Sequence, residues 1–319
     1  MALARMLSND GCDVMVFSVL ESEIDELDRT RVHKNLPGMV IPNEIVFTKD
    51  IEKVCTDKDV LLFAVPSVYV RSTCEKAKPY IKENQIIVDV AKGIEADTLF
   101  TMSQVIEDVL DNKVKVVALS GPTHAEEVAK GMPTTIVSAS KDKQAARLVQ
   151  DIFMNTCMRV YTNDDVLGVE LCGALKNIIA LAAGISTGLG YGDNAKAAII
   201  TRGMVEMTRL GLAMGANKDT FPGLAGIGDL IVTCTSVHSR NNRCGMLIGQ
   251  GKKVDEAIRE VGMVVEGINA LPAAMRLIDK YHVEMPIISM VNEVVNNNID
   301  PGSAVNKLME REKKNETDF

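Results

Sequence analysis

A chain of 319 residues has room for roughly two domains of ordinary size. Its composition, 46% hydrophobic and 24% charged, excludes an intrinsically disordered chain. A formal net charge of −8 speaks against nucleic acid as the main partner, because a phosphate backbone needs a basic surface. A small anion remains open, since a few cations in a cleft suffice to hold one.

There is no Trp, so the core must be aliphatic, with 17 Met filling its gaps. Seven scattered Cys without a CxxC pair read as reduced thiols in a cytoplasmic protein. Four isolated His give no metal-ligand spacing, so no metal is expected. No signal peptide is expected, and no apolar run reaches the ~18 residues of a membrane span. The nearest, residues 171–185, is interrupted by Lys176 and Asn177.

In chain order, residues 2–10 read as a helix stopped by Gly11, and residues 13–17 as a short strand. A helix over 22–31, a loop over 35–38 and a strand over 45–48 follow. Residues 60–65 form a continuous apolar run ended by Pro66, the pattern of a strand buried on both faces. The pattern repeats at 85–90 and 114–119, with helices near 67–80 and 97–110 between; strands at 134–139 and 158–161 complete the first half. Strands alternating with helices predict βαβ units in a mostly parallel sheet, with ligands beyond the strands' C-terminal ends. After about Thr162 strand signals vanish. Helices are expected near 166–186, 194–214, 227–234, 239–249, 253–261, 266–280 and 286–297, with a frayed tail over 310–319. The division therefore falls at 1–163 and 164–319.

A nucleotide-binding βαβ fold opens with a strand, a GxGxxG turn and a helix. Here the helix and the strand after it are present, and the first strand and glycine-rich turn are not. Either this is a different α/β fold, or roughly a dozen residues are missing. On the second reading, weak cofactor binding and poor stability are expected.

Lys176 lies in a segment apolar on nearly every face, Val169-Glu170-Leu171-Cys172-Gly173-Ala174-Leu175-Lys176-Asn177. Such a lysine is either paired or snorkelling, or it is a desolvated proton acceptor or anion clamp. Asp229 ends a glycine-rich turn, Gly223-Leu224-Ala225-Gly226-Ile227-Gly228, and shares a helix face with Thr233. It reads either as a first-turn acid or as a partner of Lys176. Ser239-Arg240-Asn241 opens another helix, which suits an ordinary cap or a phosphate site. Lys92 and Gly121-Pro122-Thr123 sit at strand ends. Arg202, Glu206 and Arg209 have the spacing of structural pairs along one helix.

Taken together, the ordered segments resemble the bacterial NAD(P)-dependent glycerol-3-phosphate dehydrogenases, from Met1 to about Asn297. The resemblance rests on Leu62-Phe63-Ala64-Val65-Pro66-Ser67, Ala91-Lys92-Gly93-Ile94-Glu95, Leu119-Ser120-Gly121-Pro122 and the Lys176 helix. It rests equally on Gly190-Tyr191-Gly192-Asp193-Asn194, Ile199-Ile200-Thr201-Arg202-Gly203, Gly226-Ile227-Gly228-Asp229-Leu230, Ser239-Arg240-Asn241 and Val264-Val265-Glu266-Gly267.

The resemblance implies a Rossmann-type doubly wound sheet, here without its first strand and Gly-rich turn, followed by an all-α C-terminal domain. It implies hydride transfer between NADPH or NADH and dihydroxyacetone phosphate, supplying glycerol phosphate for phospholipids. It makes Lys176 the proton acceptor. Lys92, Gly121, Thr123, Lys176, Asn177, Asp229, Thr233, Ser239, Arg240 and Asn241 fall on the substrate, and Lys92, Ala125, Arg240, Val264 and Glu266 on the cofactor. Expected partners are a small phosphorylated substrate and a second copy of the chain. The alternative is a catalytically silent remnant that binds phosphorylated ligands or dimerises. Two departures stand out: Thr123 replaces the family's usual Ser, and Ser18-Val19 replaces the Gly-Arg often found after the strand ending at Phe17. The second leaves the choice between NAD and NADP open, since no Asp or Glu follows that strand directly either.

Overall fold

The computed structural model describes residues 1–316. The chain forms two compact units. The first comprises Met1–Ala64, Tyr69–Val90 and Ser103–Asp164; the second takes Val65–Val68, Ala91–Met102 and everything from Asp165 onward. The two short segments 65–68 and 91–102 thus belong with the helical unit, which a single division at 163/164 does not assign to it.

The first unit starts with helix α1 (Ala2–Asn9), strand β1 (Met15–Phe17), α2 (Glu21–Thr30), β2 (Val46–Thr48), α3 (Ile51–Cys55) and β3 (Val60–Phe63). It continues with α4 (Val70–Ala77), β4 (Ile86–Asp89), α5 (Met102–Val109), β5 (Lys115–Ser120), α6 (Ala125–Val128), β6 (Thr134–Ala139), α7 (Lys143–Met154) and β7 (Met158–Asn163). Helix α5 begins five residues later than its apolar pattern suggests. Leu99 sits at φ +64°, which a helix cannot carry, and an isolated bridge between Ile94 and Thr101 closes a turn there instead.

Strands β3 to β7 form one sheet in that order. All its pairings are parallel except β5–β6. That reversal has a geometric cause. The β5–β6 connection holds only α6, whose four residues rise ~6 Å, against ~20 Å for β5. The chain does not return to the start of β5, so β6 runs back alongside it. Strands β1 and β2 form a separate parallel pair, and among the described residues no strand joins it to β3. The strands of this unit therefore lie in two separate sheets.

Helix α7, not expected from the sequence, places Ala145, Val149 and Phe153 on one buried face at four-residue spacing. Asp142 caps it by accepting N–H bonds from Gln144 and Ala145, both 2.9 Å. These residues pack with Val88, Val117, Leu119 and Ile136 of the sheet and with Ala2 and Met6 of α1.

The second unit is helical: α8 (Val166–Gly188), α9 (Asp193–Ala213), α10 (Asp229–Thr235), α11 (Arg240–Gly249), α12 (Val254–Val261), α13 (Glu266–Tyr281), α14 (Pro286–Asn296) and α15 (Pro301–Met309). A π-helical turn, Leu224–Gly228, leads into α10. Helix α8 is long and apolar enough to cross a bilayer, yet 89% of that stretch is buried inside the protein. It is the core helix on which α9, α10, α11, α13 and α14 pack.

Glycines bring α8 and α11 close. A Cβ on Gly245 would lie 2.1 Å from the Leu181 carbonyl oxygen, and one on Gly184 would lie 2.0 Å from that of Asn242. The pairing expected along α9 is replaced by contacts to other elements. Glu206 accepts the Ile287 and Ile288 N–H groups at 2.7 and 3.2 Å, capping α14. Arg209 donates to the Glu284 carbonyl and Arg202 to that of Glu316. The tail is also less free than its composition suggests: Arg311 and Lys314 pair with Glu284. Residues 317–319 of that tail lie outside the described residues.

Candidate active site

Burial decides the character of Lys176. Its helix is covered on every side, and the residue is 5% exposed. A bare ammonium there would be very costly, so the chain supplies partners. The Lys176 Nζ donates to Asp229 Oδ1 at 2.5 Å and to Thr233 Oγ1 at 2.7 Å. Asp229 is the first residue of α10, delivered by the glycine-rich π turn, and Thr233 stands one helical turn later. The other carboxylate oxygen, Asp229 Oδ2, accepts from Lys92 Nζ at 2.6 Å. One buried aspartate therefore bridges two lysines.

The electrostatics follow from that arrangement. Burial lowers the Lys176 pKa to about 7, against the pull of Asp229, and Lys92 adds a like-charge push in the same direction. Burial tends to raise Asp229, but the charges of Lys176 and Lys92 outweigh it and hold the carboxyl below its usual range. The result is an ionised aspartate beside an amine poised near neutrality, which is the requirement for an acid–base group.

Two amides lie next to this cluster. Asn241 Nδ2 donates to Asn177 Oδ1 at 2.9 Å, and Asn241 Oδ1 accepts from the Gly267 N–H at 2.8 Å. Asn177 Nδ2 donates to the Gly173 carbonyl at 3.2 Å. The chain Asn177–Asn241–Gly267 ties α8, α11 and α13 together. Ser239 is the N-cap of α11, accepting from the Asn242 N–H at 3.2 Å, and the Arg240 side chain is exposed. The first turn of α11 thus combines outward N–H groups with a guanidinium.

Glu266, first residue of α13, accepts from the Ser67 N–H at 3.1 Å and from Ser67 Oγ at 2.7 Å. Val264, half-buried, precedes it by two residues. The structure thus brings Lys92, Lys176, Asn177, Asp229, Thr233, Ser239, Asn241, Arg240, Val264 and Glu266 into one unit. Gly121, Thr123 and Ala125 belong to the other unit, at the C-terminal end of β5. There Thr123 Oγ1 donates to the Gly121 carbonyl at 3.0 Å, and Ala125 opens α6.

Two features escaped the sequence reading. Ser67 was read as part of a motif at a strand end but without a role, because its carboxylate partner is 199 positions away. At the end of β1, Ser18 Oγ donates to Glu23 Oε2 at 2.8 Å. A search for an acid directly after that strand misses Glu23, because α2 folds it back from five residues along. All seven cysteines are free thiols.

Comparison with known proteins finds matches over most of the chain. The family profile for the N-terminus of NAD-dependent glycerol-3-phosphate dehydrogenase matches residues 1–146, and that for its C-terminus matches residues 165–306. A glycerol-3-phosphate dehydrogenase [NAD(P)+] of Lactobacillus delbrueckii subsp. bulgaricus is 64% identical over 99% of this chain and 95% of its own length. One from Agathobacter rectalis is 52% identical over 98% of this chain and 93% of its own. Among solved structures, a glycerol-3-phosphate dehydrogenase from Coxiella burnetii superposes with a TM-score of 0.94 at 36% identity, covering 97% of this chain and 95% of that one.

Proposed function

The chain belongs to the NAD-dependent glycerol-3-phosphate dehydrogenase family, oxidoreductases that interconvert dihydroxyacetone phosphate and glycerol 3-phosphate, and from that premise we propose how its own residues carry out the reaction. The single observation that carries the reading is the buried Lys176–Asp229–Lys92 cluster.

Oxidising a secondary alcohol requires that its hydroxyl proton leave as the hydride departs. Lys176, with its pKa brought to about 7, takes that proton at Nζ as a neutral amine and returns it to the carbonyl oxygen in reduction. Asp229 and Thr233 occupy two of its three hydrogen-bonding directions, so the third serves the substrate. Asp229 aims the amine and keeps it basic enough to work. Lys92 brings a cation to the same carboxylate, where it offsets negative charge on the substrate. The first turn of α11, with Ser239 and Arg240, is suited to the phosphate. Asn177 and Asn241 hold the neighbouring helices in register. Gly121 and Thr123 are assigned to substrate, and Ala125 and Val264 to cofactor, by family resemblance.

A nicotinamide dinucleotide supplies the hydride acceptor and donor when bound. The residues at the end of β1 fit its adenosine end, since a ribose diol can donate to the Glu23 carboxylate beside Ser18. A GxGxxG turn for the pyrophosphate is not among these 319 residues. Glu266, engaged with Ser67, fixes the loop after β3 for the cofactor. We place the enzyme in the cytoplasm on its reduced thiols, and expect a homodimer, which the mass in solution tests.

The test is Lys176→Ala. Turnover should fall by orders of magnitude while circular dichroism reports an unchanged fold. Near-normal turnover removes Lys176 from its role and returns the cluster to a structural ion pair. The competing reading, a catalytically silent remnant that binds phosphorylated ligands or dimerises, is disfavoured by the Lys176–Asp229–Lys92 cluster, which has the groups that proton transfer needs.

A further inference from the structure

Within the first unit, β1 and β2 are parallel and end together, at Phe17 and Thr48. Ligands of parallel sheets lie beyond such ends. Beyond β1 the chain turns at Ser18, whose hydroxyl accepts the Leu20 N–H at 3.2 Å and donates to Glu23. The hydroxyl is thereby fixed, and it fixes the carboxylate. Glu23 lies in the first turn of α2 with Glu21, and no Arg or Lys occurs between Ser18 and Asp28. Val19 and Leu20, between the pair, are 58% and 61% exposed and present an apolar ledge.

We propose that the Ser18–Glu23 pair reads the 2′ position of the cofactor's adenosine ribose and selects the free hydroxyl over the 2′-phosphate, making this chain an NAD(H)-preferring enzyme. The inference rests on the dehydrogenase reading above and deepens it. A free 2′-hydroxyl donates to the Glu23 carboxylate. A 2′-phosphate at the same place brings two negative charges against a third, and the segment from Ser18 to Asp28 supplies no Arg or Lys to neutralise them. The exposed ledge of Val19 and Leu20 offers the adenine an apolar face.

The cation nearest in sequence to the end of β2, Lys49, is engaged by Asp25 at 2.8 Å and Glu21 at 3.6 Å. The Met1 amine and the His33 ring both feel Glu23, but burial lowers the pKa of each, which disfavours their charged forms. Lys34 acts on His33 as one further cation. Glu23 is the group held at the strand end by a hydrogen bond.

The test is binding, separate from turnover. Isothermal titration of ADP-ribose and of 2′-phospho-ADP-ribose is run on the full chain and on Glu23→Gln, with Glu23→Ala as a second variant. The expected result is at least about tenfold tighter binding of the unphosphorylated ligand, with the ratio falling to within about threefold of unity in both variants. Equal affinities, tighter binding of the phosphorylated ligand, no binding of either, or a ratio unmoved in the variants each overturn the proposal. Turnover that depends on Lys176 but uses NADH and NADPH equally overturns it alone and leaves the dehydrogenase reading standing.

Discussion

Asp229→Asn isolates the charge of the bridging aspartate from its shape. The amide fits the same space and still accepts a hydrogen bond, but Lys176 loses a carboxylate 2.5 Å from its Nζ. Two unit charges about 3 Å apart attract by about 5 kcal/mol at an effective dielectric of ~20, roughly four pKa units. The remaining hydrogen bond and local relaxation return part of that, so a fall of about two units is expected. Lys176 starts at about 7, so its limb should move to about 5. At pH 7 the protonated fraction then drops from about half to about one per cent, and kcat/KM for reduction falls roughly fiftyfold. Oxidation at pH 7 must fall by the same factor, because the ratio of the two directions at fixed pH is set by the reaction's equilibrium. The assay is kcat/KM for reduction from pH 4.5 to 9, followed by cofactor absorbance. A rate that falls while the limb stays near 7 refutes the electrostatic argument and leaves Asp229 only a positioning role.

Gly245→Ala drives a methyl into the Leu181 carbonyl, backbone against side chain, and should cost about 2–3 kcal/mol and lower Tm by roughly 5–10 °C in a thermal melt. Burial raises the Glu206 pKa from 4.5 to about 7, against the Ile287 and Ile288 N–H groups that favour its charge. The folded state therefore holds this proton more tightly than the unfolded state, and the stability it contributes is full below pH 4.5 and lost as pH rises through 7. That loss, about 3 kcal/mol in chemical denaturation, should vanish in Glu206→Gln; parallel curves for the two proteins would contradict it. Backbone amides of β1 and β2, which among the described residues pair only with each other, should exchange with deuterium far faster than those of β4 and β5, which lie inside the five-stranded sheet.

Much of this was legible in one dimension. Strands such as β3 and β5 announce themselves as apolar runs because both faces are buried, and α8 because nothing but Lys176 and Asn177 breaks its apolar core. Helix α7 was equally legible, since Ala145, Val149 and Phe153 repeat at helical spacing; it was missed among two apolar strands. The direction of β6 was not legible, because it depends on how far α6 carries the chain. Spacing along α9 misassigned Glu206, whose partners are N–H groups 81 and 82 positions away. Lys176 could be read as unusual from its neighbours, but its pairing with Asp229 is a contact across 53 positions. Glu23 and Ser67 escaped for the same reason: each acquires its meaning from a partner brought to it by folding.

On the function proposed above, the Lys92–Asp229–Lys176 cluster would let a chain of net charge −8 handle a phosphorylated substrate. Long-range attraction from such a surface is unfavourable to an anion, so affinity must come from local cations and oriented N–H groups. Two lysines around one aspartate leave a net positive charge when all three are ionised, and burial makes it act over short range with little screening. That same burial is what drives Lys176 toward neutrality. An arriving phosphate reverses the balance, since a nearby anion favours the ammonium. On the proposed mechanism, a phosphorylated ketone would thus favour the ammonium whose proton its reduction consumes.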